Sequence, residues 1–422
     1  MVGSDQRLFV YKNGTFVGVL RIGALDEFSF SYDDTYISSK AVPLSLSLPV
    51  RESTHASENV YAFFEGLLPE GEMREALADR IRTTPSNTPA LLAALCGECI
   101  GDIVILTEEM QATGYCDLPR GYRLLDREEL EELLEPVSPT RLEAIVANRI
   151  SLAGAQAKIS LYSASPDPGI LDWSLPFGLA ASNYILKPQS TRFPHLVENE
   201  AFCMQLAREC GIETAATGIL KARSTVLLSA RFDRITDPDG SVIRLFQEDV
   251  CQILGLLSSW KYQEHRGPGL IDVADVISRY VTDAIPAIIQ LLRRVIFNFL
   301  IGNCDAHGKN YSLTARPGNG LSLSPAYDLL STTYYPELST RLAMSINTEY
   351  ERDTITGDDF LALAEYIGID KGQVIQEFQT MLTQIKEMSP KVARRLTILG
   401  LSHVEDIAQH VIEEASNFDN LL

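Results

Sequence analysis

The sequence predicts a mixed α+β chain in which strands dominate the first half and helices the second. Three observations carry that reading. They are an Asn-Gly hairpin within the first 22 residues, a second strand-rich stretch opening at Ile150, and helical periodicity through nearly everything beyond Glu248. With 422 residues the chain is too long for one ordinary core, so two or three domains are expected. Hydrophobic residues make up 45% against 20 prolines, the composition of a globular chain.

Taken in order, residues 7 to 22 (RLFVYKNGTFVGVLRI) are two alternating apolar runs around Asn13-Gly14, a hairpin signal. FSFSYDDTYI, from residue 28, reads as a further strand pair. The pattern turns helical from Asn59 to Glu98, and DIVIL at 102 to 106 reads as a returning strand, which closes a small α+β unit over residues 1–106. Residues 107–147 hold the acidic run DREELEELLEPVSP, read as a solvated helix and connector. From residue 148 to 248 the strands return. ISLAGAQAKISLY is a strand broken by Ala-Gly-Ala, SNYILKPQ delivers Lys187 just before a proline, and VENEAFCMQLAREC is a helix closed by Gly211. TVLLSARFDR and SVIRLFQ come next as two more strands around the turn at 237 to 240. Residues 249–422 read as an all-helical lobe, with LSLSPAYDLLS as the main interruption. Loop, lysine and helix before a helical half is the order of a protein-kinase-like two-lobed fold.

Composition narrows the function. A formal charge of −20 and a pI near 4.8 exclude a chain that coats nucleic acid by itself, while leaving an acidic surface able to dock on a basic partner. The opening MVGSDQRLFVYKNG has no apolar core of a signal peptide, and the apolar runs near residues 90 to 96 and 295 to 301 are too short to span a bilayer. A cytoplasmic protein without a membrane partner is expected. Seven cysteines do not make a disulfide scaffold in so long a chain. Cys96 and Cys99 form a lone C-x-x-C, better read as small buried hydrophobes than as a redox pair or half a zinc site.

The chemistry concentrates in NFLIGNCDAHGKNYSL, residues 298 to 313, where an apolar run stops at Gly302 and polar groups crowd in. Phosphoryl transfer needs a lysine on phosphate oxygens, a helix carboxylate to hold it, a carboxylate to orient the attacking hydroxyl, and hard oxygen ligands for Mg²⁺. Asp305 and Asn310 stand five positions apart, the spacing of a kinase catalytic loop, and Asp328 comes where a second metal carboxylate belongs. Upstream, Lys187 is the phosphate lysine. Glu200, on a face of small residues with Cys203, Ala207 and Cys210, is its candidate partner, with Glu198 as rival. Asp305 and Asn310 could equally cap a turn. His307, two residues past Asp305, suggests a metal pair or, better, a hydrogen bond near nucleotide. SLAGAQAK lacks the Walker A pattern; its small residues would let backbone N–H groups approach phosphates, or form a plain strand turn.

These stretches together resemble the HipA-type serine/threonine kinases, toxins of bacterial toxin–antitoxin pairs. The resemblance runs through FFEGLLPEGEMREAL, GECIGDIVIL, SLAGAQAK, VENEAFCMQLAR, RFDR, QEDVCQILG, NCDAHGKNYS and PAYDLLS. It implies Asp305 as catalytic base and His307, Gly308, Lys309 and Asn310 as nucleotide contacts. Asn310 and Asp328 would hold metal, and Tyr327 would line the nucleotide. It further implies Ala153, Gly154, Ala155, Gln156, Ala157 and Lys158 as the phosphate loop. Lys187 is the phosphate lysine, Ala230, Arg231 and Phe232 form the adenine hinge, and Ser151 is an autophosphorylated serine. Two positions depart from the family: Ala157 replaces a usual glutamate, and Ala230 a frequent hinge glutamate. The implied cofactors are ATP and Mg²⁺. The implied partners are a HipB-type DNA-binding antitoxin, DNA only through that antitoxin, and a protein substrate such as an aminoacyl-tRNA synthetase. A small-molecule kinase would share every catalytic residue. A non-catalytic antitoxin-binding co-repressor would need none of them.

Overall fold

The computed structural model describes every residue except 1–5, 24–26, 40–41, 57, 136–137, 155, 317 and 319. The chain divides into two compact units. The first comprises Met1–Pro188, Leu220–Arg223 and Asp233–Ser258; the second comprises Gln189–Ile219, Ser224–Phe232 and Ser259–Leu422.

In the first unit, Gln6–Lys12 and Thr15–Ile22 form the expected hairpin with Lys12 opposite Thr15. Asn13 and Gly14 both take positive φ, 45° and 84°, as a two-residue turn matched to strand twist requires. Phe28–Tyr32 adds to one side and Ile103–Leu106 to the other, completing a four-stranded antiparallel sheet. All four residues of Ile103–Leu106 are buried. The second half of FSFSYDDTYI is not a strand. Asp33 accepts hydrogen bonds from the backbone of Thr35 and Tyr36 and so caps a short helix, Asp34–Ser38, despite the aromatic and β-branched composition. The helices Glu58–Glu65, Gly71–Arg80 and Thr88–Leu95 come next, as expected. The acidic run forms Arg127–Leu134, capped by a reciprocal Asp126–Glu129 box.

ISLAGAQAKISLY is a strand only over Ile159–Leu161, which pairs with Tyr184–Pro188. Residues 150 to 154 and 156 to 158 lie outside any strand, because Ser151 and Gly154 bond to other segments rather than to a strand neighbour. A pair not expected from the sequence joins Arg120–Leu124 to Ser174–Gly178. Its first strand is mostly exposed and shows no apolar alternation to betray it.

A buried ionic cluster ties this unit together. Glu98, 1% exposed, accepts from the backbone and hydroxyl of Ser182 (3.1 and 2.8 Å), Arg234 Nη2 (3.0 Å) and Arg244 Nη2 (2.6 Å). Arg234 also reaches Asp233 (2.7 Å), whose carboxylate accepts the Gly101 N–H (2.7 Å). A second buried carboxylate, Glu248, accepts from Leu46 N (2.9 Å) and the Ser45 hydroxyl. Burial pushes Glu248 up to about 8, so the folded chain holds a proton there that the unfolded chain releases above the usual carboxylate range. Stability from this group is therefore full below about pH 4.5 and is lost as pH rises through about 8, on the order of a few kcal/mol. Urea unfolding at pH 5 and pH 8 should show wild type losing more stability than Glu248→Gln. Equal losses would refute the assignment.

The second unit is built on long helices, Leu196–Glu209, Leu270–Tyr280, Ala284–Leu300, Gly357–Ile367, Lys371–Ile398 and Val404–Ser416. It is not all-helical: Ser312–Arg316 pairs with Gly320–Leu323, and Arg341–Ile346 with Glu349–Glu351. Each of these strands has six residues or fewer, too short for period-two alternation to stand out. The C-terminal end of Ala284–Leu300 is fixed by an aromatic cluster. Phe299 packs on Phe418, Phe360 and Phe378 with centroids 4.4, 5.2 and 6.4 Å away. The Arg352 guanidinium lies over Phe299 and Phe418 and donates to the Phe299 carbonyl at 2.8 Å. The loop that leaves this helix therefore starts from a rigid point.

Candidate active site

That helix stops at Leu300, and Gly302 turns with φ of 70°. The Gly302 carbonyl accepts from Thr332 N, Thr333 N and the Thr332 hydroxyl, all near 3.0 Å. Asn303 reaches back to Asn298 through its own N–H (2.8 Å) and its amide (3.0 Å), and its Oδ1 accepts the N–H of Asp305 at 3.2 Å. Asp305 is exposed, and its Oδ1 accepts a hydrogen bond from the Tyr262 hydroxyl at 2.8 Å. Gly308–Asn310 forms a single tight turn, and Asn310 Oδ1 accepts the His307 N–H at 2.9 Å. These local bonds, more than helix or sheet, set the loop.

Asp328 comes to the same place from another segment. Ala326 N donates to Glu213 O (2.7 Å) and Ala215 N to Ala326 O (2.9 Å), which holds the chain just before it. The Asn310 amide donates to Asp328 Oδ2 at 3.3 Å. Asp328 has φ of 61°, a left-handed conformation uncommon for a non-glycine residue and of the kind that gathers at functional sites. Tyr327 donates to the Lys309 carbonyl at 2.6 Å, bonds Ser312, and stacks on Phe232 with centroids 5.5 Å apart. The second unit thus brings together Asp305, His307, Gly308, Lys309, Asn310, Tyr327, Asp328 and Phe232. Ala230 and Arg231 precede Phe232, and Ala230 N donates to Ala216 O at 2.8 Å.

His307 is buried, its Nδ1 has no partner among the described residues, and its ring meets Tyr262 edge-on at 5.3 Å. Burial lowers its pKa to about 4 against the pull of Asp305, so the imidazole is neutral at neutral pH. An orphaned buried nitrogen beside an open carboxylate suits a polar ligand. Asn310 and Asp328, both half-buried, offer an amide and a carboxylate close together, a donor set that fits Mg²⁺ completed by phosphate oxygens. Among the described residues no three His, Cys, Asp or Glu side chains gather as a metal site. Cys96 and Cys99 are fully buried, and the Cys99 thiol is pushed well up by its bond to Cys96 and by burial.

The remaining candidates lie on the first unit, apart from Glu200. In the loop, Glu70 N donates to Gly154 O at 3.2 Å, and Gly154 has φ of 101°. A Cβ on Gly154 would come within 2.8 Å of Lys158 Nζ, so the bare backbone leaves room for that ammonium. Gln156, Ala157 and Lys158 are half-buried, while Ala155 lies outside the described residues. Ser151 is fully buried: its hydroxyl donates to Leu67 O at 2.6 Å and its N–H to Glu98 O at 2.9 Å. Lys187 is buried near the end of Tyr184–Pro188. On the second unit Glu200 is buried in Leu196–Glu209, and the rival Glu198 accepts from the Gln189 amide at 2.5 Å. Sequence reading missed Tyr262 and Asn298. Tyr262 sits in an irregular segment where no spacing marks it, and Asn298 reads as one polar break in an apolar helix.

The family model of the HipA-like C-terminal domain matches residues 150–389, and that of the HipA N-terminal domain matches residues 8–106. Y4mE of Sinorhizobium fredii is 33% identical over 415 residues, 97% of this chain and 93% of that one. The serine/threonine-protein kinase toxin HipA of Shewanella oneidensis is 28% identical over 94% of this chain and 91% of its own length. A solved structure of HipA from Shewanella oneidensis MR-1, in complex with HipB and operator DNA, superposes with a TM-score of 0.80 at 25% identity. It covers 97% of this chain and 96% of that one. No described helix is long and apolar enough to cross a membrane. Mixed α+β and protein-kinase-like in fold, matched by family models over most of its length, the chain belongs to the HipA-like family.

Proposed function

We propose that the chain is an ATP- and Mg²⁺-dependent serine/threonine-protein kinase of the toxin type, acting in the bacterial cytoplasm. The observation that carries this reading is the convergence of Asp305, Asn310 and Asp328, with Asn310 bonded to Asp328 at 3.3 Å and the Asp305 carboxylate exposed. Asp305 would orient the acceptor hydroxyl and take its proton as the new phosphate ester forms. Asn310 and Asp328 would hold Mg²⁺, which when bound neutralises charge on the phosphates. Neutral His307 would hydrogen-bond the nucleotide without adding charge. Phe232 and Tyr327 would line the base, and Lys158 and Lys187, with the backbone of residues 153 to 157, would contact phosphates. Glu200 remains the proposed partner of Lys187. By analogy with the relative solved with HipB and operator DNA, a HipB-type antitoxin is the proposed partner, reaching DNA on the chain's behalf. The proposed acceptor is a serine of a protein, an aminoacyl-tRNA synthetase being the first to try. Phosphoproteomics after pulsed expression should show new phosphoserine that the Asp305→Asn protein does not produce. Identical phosphoproteomes would remove the kinase reading.

Ser151 is the proposed regulatory serine. Because its hydroxyl is fully buried against Leu67 O, it can receive phosphate only after the loop leaves its seat. The added charge of about −1.5 to −2 then bars its return. Intact-mass spectrometry should find a phosphate on Ser151 in wild type and none in Asp305→Asn. Nucleotide titration should find Ser151→Ala binding ATP and Ser151→Asp not binding. A fully Ser151-phosphorylated protein that binds ATP normally would refute the switch.

A further inference from the structure

The Asp305 carboxylate has two oxygens, and they are not equivalent. Oδ1 accepts the Tyr262 hydroxyl at 2.8 Å, and Oδ2 is outside that bond. We propose that Tyr262 is a positioning residue for phosphoryl transfer, holding the Asp305 carboxylate so that a single oxygen is presented to the acceptor. This rests on the kinase reading of the site.

Several contacts make Tyr262 part of the loop rather than a side chain resting on it. The backbone beside it is joined to the catalytic loop, since Gly308 N donates to Lys261 O at 3.1 Å. Its own carbonyl accepts from His265 N and Gly267 N, both at 2.9 Å, closing the segment on itself. The next residue, Gln263, accepts from Ser345 N (2.8 Å) and the Ser345 hydroxyl (3.1 Å). Ser345 lies in Arg341–Ile346, the strand whose Ala343 N donates to Cys304 O at 2.9 Å, directly before Asp305. Arg341 of that strand also pairs with Glu264. One strand therefore anchors both Asp305 and the segment carrying Tyr262. The ring is fixed edge-on against buried His307, and Lys261 Nζ lies 5.4 Å from its centroid.

A carboxylate on a two-bond side chain rotates freely in water. Tied at Oδ1 by the hydrogen bond that the neutral Tyr262 hydroxyl donates to its charge, it keeps the rotamer in which Oδ2 meets the acceptor. A hydroxyl so fixed is poorly suited to be the acceptor itself. That opposite possibility, Tyr262 occupying the acceptor's place, predicts faster transfer once the hydroxyl is gone.

The test is Tyr262→Phe in the full chain, with ATP and the protein acceptor found by phosphoproteomics. Phenylalanine keeps the ring against His307 and removes only the hydroxyl. Turnover should fall on the order of 10- to 100-fold, while KM for ATP and the melting temperature stay near wild type. In the Asp305→Asn background the same substitution should add almost nothing, because its effect passes through the carboxylate. Should the phenylalanine variant fail to fold, Tyr262→His, which can still donate, must retain more turnover than Tyr262→Leu. The proposal is overturned by unchanged turnover, by faster turnover, by phosphate on the Tyr262 oxygen, or by an equal loss in the Asp305→Asn background. A wild-type protein that transfers no phosphate to any acceptor overturns the reading of the site itself, and this role with it.

Discussion

Asp305→Asn should reduce phosphate transfer by about 10²- to 10⁴-fold, the range a positioned general base contributes. Melting temperature and ATP affinity should stay near those of wild type. The expectation of an intact fold comes from the surroundings: Asp305 is exposed, and an asparagine Oδ1 can still accept from the Tyr262 hydroxyl and leave the loop as it is. Only the ability to take a proton is lost. Incorporation of labelled phosphate into the protein acceptor, measured beside thermal melting, tests both halves. Transfer at the wild-type rate would remove Asp305 from the mechanism, and a collapsed melting curve would make the loss uninformative about chemistry.

The second large effect is on folding. Replacing Glu98 by alanine would leave the Arg234 and Arg244 guanidiniums buried without the carboxylate that both share. Removing one partner of a buried charge cluster costs about 3–5 kcal/mol, more than the cluster's net contribution, because uncompensated charge stays in the interior. A large shift of the urea midpoint is expected for Glu98→Ala. A double variant with Glu98 and Arg244 both replaced by apolar residues of similar size should be less impaired than the single one, since Arg234 keeps its pairing with Asp233. An unfolding free energy within about 1 kcal/mol of wild type for the single variant would mean that water or another group reaches the arginines.

How much of this was legible in the sequence depended on distance along the chain. The Asn13-Gly14 hairpin and the Asp305–Asn310 spacing are local, and both read directly. Asp328 could be placed because a short hairpin, Ser312–Arg316 with Gly320–Leu323, returns the chain to the loop. Glu98 could not be read. Its partners Ser182, Arg234 and Arg244 lie 84, 136 and 146 residues away, and an isolated buried glutamate looks like any surface one. Tyr262 is hidden for the same reason, 43 residues from the carboxylate it holds. The error at Asp34–Ser38 was different in kind. Aromatic and β-branched residues favour strand, but one capping aspartate satisfied enough backbone donors to decide for a helical turn.

The left-handed backbone of Asp328 limits what mutagenesis can say about that residue. An alanine there would forfeit the carboxylate and also occupy a conformation that costs roughly 1–2 kcal/mol for a residue lacking a short polar side chain. Its phenotype would therefore mix loss of the carboxylate with a loop that has relaxed elsewhere. Asparagine tolerates the same φ and keeps an oxygen where the carboxylate was, so it reports on charge alone. A glycine would do the reverse, keeping the backbone and discarding the side-chain oxygens. The pair Asp328→Asn and Asp328→Gly separates electrostatics from geometry at one position, an experiment the more usual alanine scan would have obscured.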